Sequence, residues 1–400
     1  MPLRKLSDLE KSKLQGKKVL MRVDFNVPLK DGIIADDSRI RKTLPTITYL
    51  LENGAALVLM SHLGRPKGKI IEELRLDPIA KRLSELLKKP VQKMNDCIGE
   101  DVRNAKKNLQ PGEIMLLENT RFYLPETENL RPFAAELASE CDMFVQEAFG
   151  TIHRAHASTE GVAHYLPSMK GFLVEKEVDI LTSTFKNPEH PLTLVIGGAK
   201  IDTKIGIIHN FLSIADNILI GGGLANTLLF AKDLEVGGSL CEKDKLKIAQ
   251  RILMDAGEQR CKIYLPRDVV VAKSEEDAST LRNIPVDQIA VGEKIFDIGE
   301  KSRENYAAVI KNSKMVIWNG PMGLFENPLF ANGTRKIAEA MRDSEAKTII
   351  GGGDSVEALA QFGISEESYT HVSTGGGAML EFLEGKVLPG LVVLKEQVEM

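Results

Sequence analysis

Polar and cationic residues recur just after β-rich runs in the first half of the chain. These segments read RVDFNVP, MSHLGRP, LLENTRF and EAFGTIHRAHAS, and an arginine also opens the first predicted helix. Guanidinium groups bind phosphate and carboxylate through paired N–H groups. Any single arginine could form a surface salt bridge, but the joint pattern predicts a site for a small, multiply anionic substrate. The candidate residues are Asp24, Asn26, Arg39, His62, Arg65, Arg121 and Arg154.

Glycine clusters end the β-rich runs of the second half. Four are followed by a helical pattern, namely LVIGGAK (Leu194–Lys200), ILIGGGLA (Ile218–Ala225), TIIGGGDS (Thr348–Ser355) and HVSTGGGA (His371–Ala378), and VIWNGPMG (Val316–Gly323) is a related turn. Glycine lets the backbone approach a phosphate closely, and helix N-termini bind anions. One cluster could serve strand–helix packing alone. Four in one half favour a phosphate-rich ligand such as a nucleotide.

Three charged residues near these clusters have two interpretations each. Lys200 and Lys204 have i, i+4 spacing, which predicts that both ammonium groups lie on one face of a helix's first turns. Since a helix N-terminus is already positive, cations there imply an anion between them, and the alternative is two solvated surface lysines. Asp354 follows GGG and could hold Mg²⁺ or act as a plain N-cap.

Several common signatures are absent. The sequence has no GxxxxGK[ST] and no HRD or DFG, which excludes the P-loop and protein-kinase patterns, and it has no GxGxxG to support dinucleotide binding. His153 and His156 have no companion ligand at metal-site spacing, so packing or anion contact is favoured over a metal. Cys141 is a weak candidate nucleophile.

Alternating strands and helices must position these residues. The first half predicts strands at Val19–Val27, Ala56–Ser61, Ile114–Glu118 and Met143–Ala148, with helices between them such as Arg39–Leu51 and Pro78–Leu87. Continuous apolar runs such as LVLM suit parallel strands that are buried on both faces. The chain is therefore predicted to be α/β, with a doubly wound parallel sheet in each of two domains. The predicted boundaries are residues 1–170, a connecting helix at 171–186, and 187–384.

Composition agrees with two globular domains. The 400 residues are 43% hydrophobic and 27% charged, which excludes wholesale disorder, collagen and a coiled coil. The net charge is −4, but residues 1–170 carry 27 basic and 23 acidic side chains, and the remainder carries 25 and 33. The near-neutral charge of the whole chain predicts neither a nucleic-acid nor a membrane partner.

The cysteines and the apolar runs bear on location. Cys97, Cys141, Cys241 and Cys261 are widely spaced, as is typical of reduced thiols in the cytoplasm. The N-terminus has charges every few residues and no apolar stretch, unlike a signal peptide. Asn217–Ala231, the most apolar long run, is shorter than a membrane span. We expect a soluble, cytoplasmic protein.

The motifs, taken in order, resemble those of the phosphoglycerate kinase family. The matching segments run from residue 22 to residue 390 and are RVDFNVP, SHLGRP, EAFGTIHRAHAS, GGAK, WNGPMGLFE, GGGDS and STGGGAMLEFLEGKVLPG. The resemblance implies two Rossmann-like domains joined by a hinge helix, with the tail 385–400 packing back on the first domain. It also implies reversible transfer of the acyl phosphate of 1,3-bisphosphoglycerate to Mg·ADP in glycolysis, by hinge closure, in a monomer with small-molecule partners.

The resemblance also implies roles for individual residues. The phosphoglycerate would be held by Asp24, Phe25, Asn26, Arg39, His62, Leu63, Gly64, Arg65, Arg121 and Arg154. The nucleotide would be held by Gly197, Gly198, Lys204, Gly221, Gly222, Asn319, Pro321, Glu326, Gly352, Gly353, Asp354 and Ser355, with Mg²⁺ at Asp354. The phosphoryl group in flight would be surrounded by Arg39, Lys200 and the helix start at Gly375, Gly376 and Gly377.

The sequence departs from the family pattern at a few positions outside these ligands. They are Gln146, Glu147, Ile152, Thr203 and Glu300. Two other functions compete with the kinase. One is another Rossmann-like phosphotransferase or acid–ADP-forming ligase, which the arginine set disfavours. The other is a non-catalytic nucleotide-binding or scaffold protein, which predicts loss of cations that this chain retains.

Overall fold

A computed structural model describes residues 3–202 and 204–395. The chain divides into two compact units, and the described part of unit 1 consists of residues 3–179 and 386–395. Unit 2 spans Ile180–Gly385. The division falls inside one helix, Phe172–Lys186, which is the segment predicted to connect the two halves. Among the described residues, no helix combines the length and apolar character that a bilayer span requires.

Unit 1 is built on a six-stranded parallel sheet, and a two-stranded hairpin is formed by β2 and β3. Its strands are β1 (Lys18–Arg22), β2 (Leu29–Lys30), β3 (Ile33–Ile34), β4 (Ala56–Met60), β5 (Gln92–Lys93), β6 (Ile114–Leu116), β7 (Met143–Gln146) and β8 (Ser168–Lys170). Its α-helices up to the division are α1 (Ser38–Glu52), α2 (Asp77–Leu87), α3 (Glu100–Asn108), α4 (Leu124–Thr127), α5 (Arg131–Ala138) and α6 (Phe172–Lys186).

The strands of this sheet lie in the order β5-β6-β4-β1-β7-β8. The chain forms the three strands on one side of β1 before it crosses to the other side, so the strand order reverses at β1. In the register of the ladder, Leu20 of β1 pairs with Val58 of β4 on one side and Phe144 of β7 on the other. All three side chains are fully buried, as expected for a parallel sheet covered on both faces. Ligands of such sheets bind beyond the carboxyl ends of the strands, at the point of reversal.

Unit 2 has a second six-stranded parallel sheet and a three-stranded antiparallel one. Its strands are β9 (Leu192–Ile196), β10 (Asn217–Ile220), β11 (Lys262–Tyr264), β12 (Asp268–Ala272), β13 (Arg282–Pro285), β14 (Lys294–Ile298), β15 (Met315–Asn319), β16 (Lys347–Gly351) and β17 (His371–Val372). Its α-helices are α7 (Ile205–Leu212), α8 (Gly222–Phe230), α9 (Leu246–Glu258), α10 (Glu300–Lys311), α11 (Asn332–Arg342), α12 (Gly353–Phe362) and α13 (Gly376–Leu383).

The parallel sheet of unit 2 has the order β11-β10-β9-β15-β16-β17 and reverses at β9. The antiparallel sheet, ordered β13-β12-β14, was not predicted from the sequence. Its strand β14 carries Phe296, whose ring stacks on Phe330 with centroids 4.6 Å apart.

The last described residues return to unit 1. They include a short helix, α14 (Pro389–Val392). The backbone N–H of Gly390 donates to the Ile152 carbonyl at 2.9 Å, and that of Arg4 donates to the Leu394 carbonyl at 3.1 Å. Leu388 and Leu394 are buried. The predicted tail extends to residue 400, and residues 396–400 lie outside the described part of the chain.

Candidate active site

A cavity of about 220 Å³ lies at the carboxyl edge of the unit 1 sheet. It collects all seven residues that the spacing of charges singled out, together with Gly64, Gly150 and Thr151. The lining residues from the sequence prediction are Asp24, Asn26, Arg39, His62, Arg65, Arg121 and Arg154. Four arginines and a histidine converge on this space, which suits a small ligand with several negative charges.

The sheet explains this convergence. Asp24 and Asn26 follow β1, His62 and Arg65 follow β4, and Arg121 follows β6. Because the strands are parallel, the residues that come just after them meet at one edge, next to the reversal at β1. Residues that are about 130 positions apart in the chain are thereby brought to one cavity.

Hydrogen bonds fix the floor of this cavity. Arg39 donates to the Asp24 carboxylate. The Asn26 amide oxygen accepts from the Gly64 backbone N–H at 2.8 Å. Gly64 has φ +64°, and a Cβ there would lie 2.9 Å from the Leu74 side chain, so this turn requires glycine.

Arg121 is held with part of its hydrogen-bonding capacity unused. Its Nη1 donates to the Gly64 carbonyl at 2.9 Å, but its Nε and Nη2 are buried without a partner. Burial, reinforced by the positive charges of Arg22 and Arg154, lowers the pKa of Arg121 to about 10. An anionic ligand in the cavity would satisfy both the unpaired donors and the excess positive charge.

The histidines around the cavity are held neutral. Burial and the neighbouring arginines lower the pKa of His62 well below its usual value. The same two causes lower the pKa of His153 to about 4 and that of His156 to about 3. At neutral pH the positive charge of this site therefore comes from its arginines.

Phe25 and Leu63 occupy a different position from the other residues assigned to this site. Both side chains are buried in the hydrophobic core of unit 1 and do not line the cavity. Their backbone N–H groups donate to Ser61 Oγ and Asn119 Oδ1 at 3.0 and 3.2 Å.

Unit 2 contains a cavity of about 680 Å³ next to its glycine turns. Of the twelve residues assigned to the nucleotide, the lining includes Gly198, Gly222, Pro321, Glu326 and Asp354. The remaining seven lie outside the lining. They are Gly197, Lys204, Gly221, Asn319, Gly352, Gly353 and Ser355.

Two glycine turns interlock beside this cavity. The backbone N–H of Gly198 donates to the Pro321 carbonyl at 3.0 Å, and that of Gly197 donates to the Asn319 carbonyl at 3.0 Å. A Cβ on Gly197 would lie 2.0 Å from the Pro321 carbonyl oxygen, and one on Gly320 would lie 2.4 Å from the Gly197 carbonyl oxygen. These glycines are therefore required for packing between turns. Gly353, with nothing within 4 Å of its Cβ position, is open.

A polar network supports the same turns. Lys204 donates to the Asn319 side-chain oxygen, and the Asn319 amide donates to the Gly351 carbonyl at 2.8 Å. Ser355 Oγ accepts from the Gly320 backbone N–H at 2.8 Å. Burial lowers the pKa of Lys204 to about 8, opposed by the negative charge of Asp354.

The prediction that Lys200 and Lys204 share one face of a helix is wrong. Helix α7 begins only at Ile205, with Lys204 as its N-cap, and Lys200 is an exposed residue before it. The segment between the two lysines is held by residues of another segment. The Ile201 backbone N–H donates to the Glu242 carboxylate, and Asp202 pairs with Lys245 at 2.8 Å. Thr203, one of the departures noted above, lies outside the described residues.

Asp354 is an exposed residue in the first turn of α12, where Gly352 is the N-cap. No group of three or more potential metal ligands exists among residues 3–202 and 204–395. A single carboxylate beside a cavity fits Mg²⁺, because this ion is usually held by one or two carboxylates, several waters and the phosphates of a nucleotide. It does not fit a metal that needs a cage of protein ligands.

Helix α13 begins near the end of β17. Gly375 is its N-cap, Gly376 and Gly377 form its first turn, and a Cβ on Gly376 would lie 2.9 Å from the Gly352 Cα. The first backbone N–H groups of a helix lack intrahelical partners, so this start can receive an anion.

Sequence reasoning missed several residues around both cavities. Arg22 lies behind the first one, and its signal was a charge inside the apolar run VLMRV. In the second cavity, Ser239, Leu240, Cys241, Lys294 and Phe296 come from a loop and from β14. They carry no motif, and their place depends on an antiparallel sheet that the sequence did not reveal.

Comparison with known proteins gives a consistent result. A family model described as "Phosphoglycerate kinase" matches residues 8–386. Curated phosphoglycerate kinases of Dictyoglomus turgidum and Moorella thermoacetica are 52% and 50% identical over 392 residues, which cover 98% of this chain and 98% and 99% of theirs. Among solved structures, phosphoglycerate kinase from Coxiella burnetii is 40% identical with a TM-score of 0.88, covering 98% of this chain and 99% of its own. That from Pyrococcus horikoshii is 34% identical with a TM-score of 0.84, covering 98% of both chains.

Proposed function

The chain belongs to the phosphoglycerate kinase family, and from this premise we propose how its residues carry out the reaction. The activity is the reversible transfer of the acyl phosphate of 1,3-bisphosphoglycerate to ADP, which gives 3-phosphoglycerate and ATP. The observation that carries the proposal is the unit 1 cavity, where four arginines converge around a space of about 220 Å³.

In this proposal the unit 1 cavity holds the phosphoglycerate. Arg65, Arg121 and Arg154 bind its phosphate and carboxylate oxygens as charge-assisted donors. Asp24 and Asn26 orient the ligand, and Asp24 also holds Arg39 in the lining of the cavity. The unpaired N–H groups of Arg121 support this role, since burying such donors without a ligand is costly.

The unit 2 cavity holds the nucleotide in the same proposal. The open backbone at Gly353 and the start of α12 receive phosphate oxygens, while Glu326 and Pro321 line the remaining space. Asp354 is the residue that would hold Mg²⁺, which when bound supplies charge neutralisation to the nucleotide phosphates. Lys204 and Asn319 keep the glycine turns in place.

No general base is needed for this chemistry. In the direction that consumes ATP, the nucleophile is the carboxylate of 3-phosphoglycerate, which is ionised at pH 7. The protein must therefore position two ligands and stabilise a phosphoryl group with a metaphosphate-like distribution of charge. We assign this stabilisation to Arg39, Lys200 and the backbone N–H groups at Gly375–Gly377.

Water must also be excluded, because an acyl phosphate hydrolyses. One ligand is assigned to each unit, and α6 contains the division between them, so we propose that closure about this hinge helix completes the site. The proposal further includes a monomer located in the cytoplasm and acting on small molecules alone. The four free cysteines support that location.

A coupled assay with 3-phosphoglycerate and Mg·ATP tests this function. Turnover is expected, and it should disappear when Arg39 is replaced by methionine while the protein remains folded by circular dichroism. Acceptance of unrelated carboxylates in place of 3-phosphoglycerate would favour the acid–ADP-forming ligase. Absence of turnover in well-folded protein would refute the enzyme.

A further inference from the structure

Arg22 is a buried arginine behind the phosphoglycerate cavity. It ends β1, is fully buried and does not line the cavity. Its Nε donates to Ser158 Oγ at 2.8 Å, its Nη1 donates to the Val23 carbonyl, and its Nη2 lies 3.1 Å from His62 Nδ1. A guanidinium group donates hydrogen bonds but accepts none. His62 Nδ1 must therefore be the acceptor.

This contact determines where the proton of His62 resides. A neutral imidazole carries one proton, so a ring that accepts at Nδ1 is protonated at Nε2. Protonation of Nδ1 as well would set two donors against each other at 3.1 Å. With Nδ1 occupied by Arg22, Nε2 is the ring nitrogen that remains for a ligand in the cavity.

The positive charges around His62 also favour a neutral ring, because they lower its pKa. They come from β1, α1 and the segments after β6 and β7, and are Arg22, Arg39, Arg121 and Arg154. One carboxylate opposes them: Asp24 Oδ1 lies 3.8 Å from Nδ1. That carboxylate already accepts from Arg39, so its charge is largely compensated.

Arg22 is itself held by a second buried group. Ser158, which accepts from Arg22, donates through its hydroxyl to Glu126 Oε1 at 2.6 Å. The Ser158 backbone N–H donates to Glu126 Oε2 at 2.9 Å, and Glu126 is fully buried. The negative charge of Glu126 compensates the positive charge of Arg22. A chain of contacts thus runs from Glu126 through Ser158 and Arg22 to His62.

We propose that Arg22 is a positioning residue that fixes His62 as the neutral Nε2–H tautomer, so that His62 gives the phosphoglycerate a hydrogen-bond donor without a positive charge. This inference rests on the proposed function for its ligand, but the tautomer itself is a property of the protein alone. The arginines supply the charge that binds the anion, and His62 supplies a donor of fixed direction.

His153 provides an internal control. Arg154 Nε donates to His153 Nε2 at 3.1 Å, so the same argument assigns its proton to Nδ1. His62 and His153 must therefore show opposite tautomers. A general effect of burial would not distinguish them.

Nitrogen NMR of protein labelled with ¹⁵N-histidine, recorded without substrate between pH 5.5 and 8, tests the proposal directly. Signals are assigned by comparison with His62→Gln and His153→Gln. We expect His62 as the Nε2–H tautomer and His153 as the Nδ1–H tautomer at all these pH values. A doubly protonated or Nδ1–H His62 at pH 7 overturns the proposal.

The role of Arg22 is tested with Arg22→Met and with the double variant Arg22→Met/Glu126→Gln, which avoids a buried unpaired carboxylate if the single variant does not fold. We expect His62 to become a mixture of tautomers. The KM for 3-phosphoglycerate should rise about tenfold, as for one lost hydrogen bond, with kcat and the KM for ATP changed less than about threefold.

Lys170→Met is the matched control. Lys170 is another buried cation at the end of a strand in the same sheet, and it pairs with Asp179 at 3.2 Å. The Lys170→Met substitution should leave the tautomer of His62 unchanged. An unchanged tautomer in the folded Arg22 variants would overturn the positioning role, whatever their activity. Failure of the wild-type protein to turn over would refute the proposed function and leave the NMR result intact.

Discussion

Individual side chains in the unit 1 cavity are arranged to receive an anion at a cost to the stability of the free protein. Arg121 has two buried N–H groups without partners and lies among other positive charges. An unsatisfied buried donor costs about 1–3 kcal/mol. The cavity is therefore a place where affinity for an anion and stability of the empty protein oppose each other.

We predict that Arg121→Met raises the free energy of unfolding of the ligand-free protein by about 1–2 kcal/mol, because it removes the unpaired donors. The same change should raise the KM for 3-phosphoglycerate at least about tenfold. Denaturant unfolding and steady-state kinetics measure the two effects. Arg41→Met is the control, since Arg41 is exposed and, among the described residues, forms an ion pair with Asp37 four positions earlier in the chain; the stability of this variant should change by less than about 1 kcal/mol. A less stable Arg121 variant would contradict the argument.

Lys200 is assigned to the transferred phosphoryl group and not to the resting nucleotide. Lys200→Ala is therefore predicted to lower kcat by at least about 100-fold while the Kd for Mg·ADP changes less than about threefold. Isothermal titration and single-turnover kinetics separate the two quantities. An equal loss in binding and in rate would show that Lys200 is a ground-state ligand instead.

At the scale of elements, strand ends decide which residues reach the sites. The sequence predicted Val19–Val27 as a strand, but β1 ends at Arg22. Of the next residues, Asp24 and Asn26 line the cavity, while Val23, Phe25 and Val27 are buried in the core. The strand predicted as Met143–Ala148 likewise ends at Gln146. Apolar patterning continues past the last ladder hydrogen bond, so it overestimates strands where the functional residues begin. Helices were closer, as with Ser38–Glu52 against the predicted Arg39–Leu51.

The two cavities differed in how far the sequence could predict them. The seven predicted residues that line the unit 1 cavity have polar or charged side chains, and all of them except Arg39, which lies in α1, come within eight residues of a strand end. Their types and approximate positions could therefore be predicted from the sequence. The glycine clusters of unit 2 were compatible with two roles, tight packing between turns and close approach of a phosphate. Only the distances from a Cβ at Gly197 and Gly320 to neighbouring backbone separate packing from an open position such as Gly353.

We predict that Gly320→Ala lowers the free energy of unfolding by at least about 2 kcal/mol, since its φ is +90° and its Cβ would lie 2.4 Å from the Gly197 carbonyl oxygen. The control is Gly257→Ala in α9, where nothing lies within 4 Å. That change should stabilise the protein by about 0.5–1 kcal/mol, because alanine favours the helix. Urea unfolding measures the free energy of unfolding of both variants. Equal changes in the two variants would contradict the interlocking of the turns.

The start of α6 contacts a buried carboxyl group. Glu147, a departure from the family pattern, accepts from Thr46 Oγ1 and from the Leu173 backbone N–H at 3.1 Å, and its Oε2 has no partner. Burial raises the pKa of Glu147 from 4.5 to about 7. The folded protein therefore binds this proton more tightly than the unfolded chain does.

A raised pKa gives a contribution to stability that is complete below pH 4.5, declines as pH rises and is lost above about pH 7. We predict that Glu147→Gln removes about 3 kcal/mol of pH dependence across this window. Unfolding free energies measured from pH 4.5 to 8 test this. Glu52→Gln, at the exposed end of α1, should leave the profile unchanged. A Glu147 variant with the wild-type profile would show that the carboxyl stays ionised.

At the scale of the whole molecule, the proposed function assigns one ligand to each of two units. We predict that 3-phosphoglycerate and Mg·ADP together reduce the radius of gyration by more than the sum of their separate effects. Small-angle scattering at constant ionic strength measures this, with each ligand alone as the control. The same radius with both ligands as with either one would argue against closure about α6.

Unit 2 interrupts unit 1 in the chain, because the segment that follows Gly385 belongs to the first unit again. On the ribosome, unit 1 is therefore incomplete until all of unit 2 has been synthesised. At the usual rates of translation this delay is about 10–40 s. Throughout it, Ile152 and Arg4 lack their partners from residues 390 and 394, while unit 2 is continuous and emerges as one piece. The half of the enzyme that is translated first is thus the half that can be finished last.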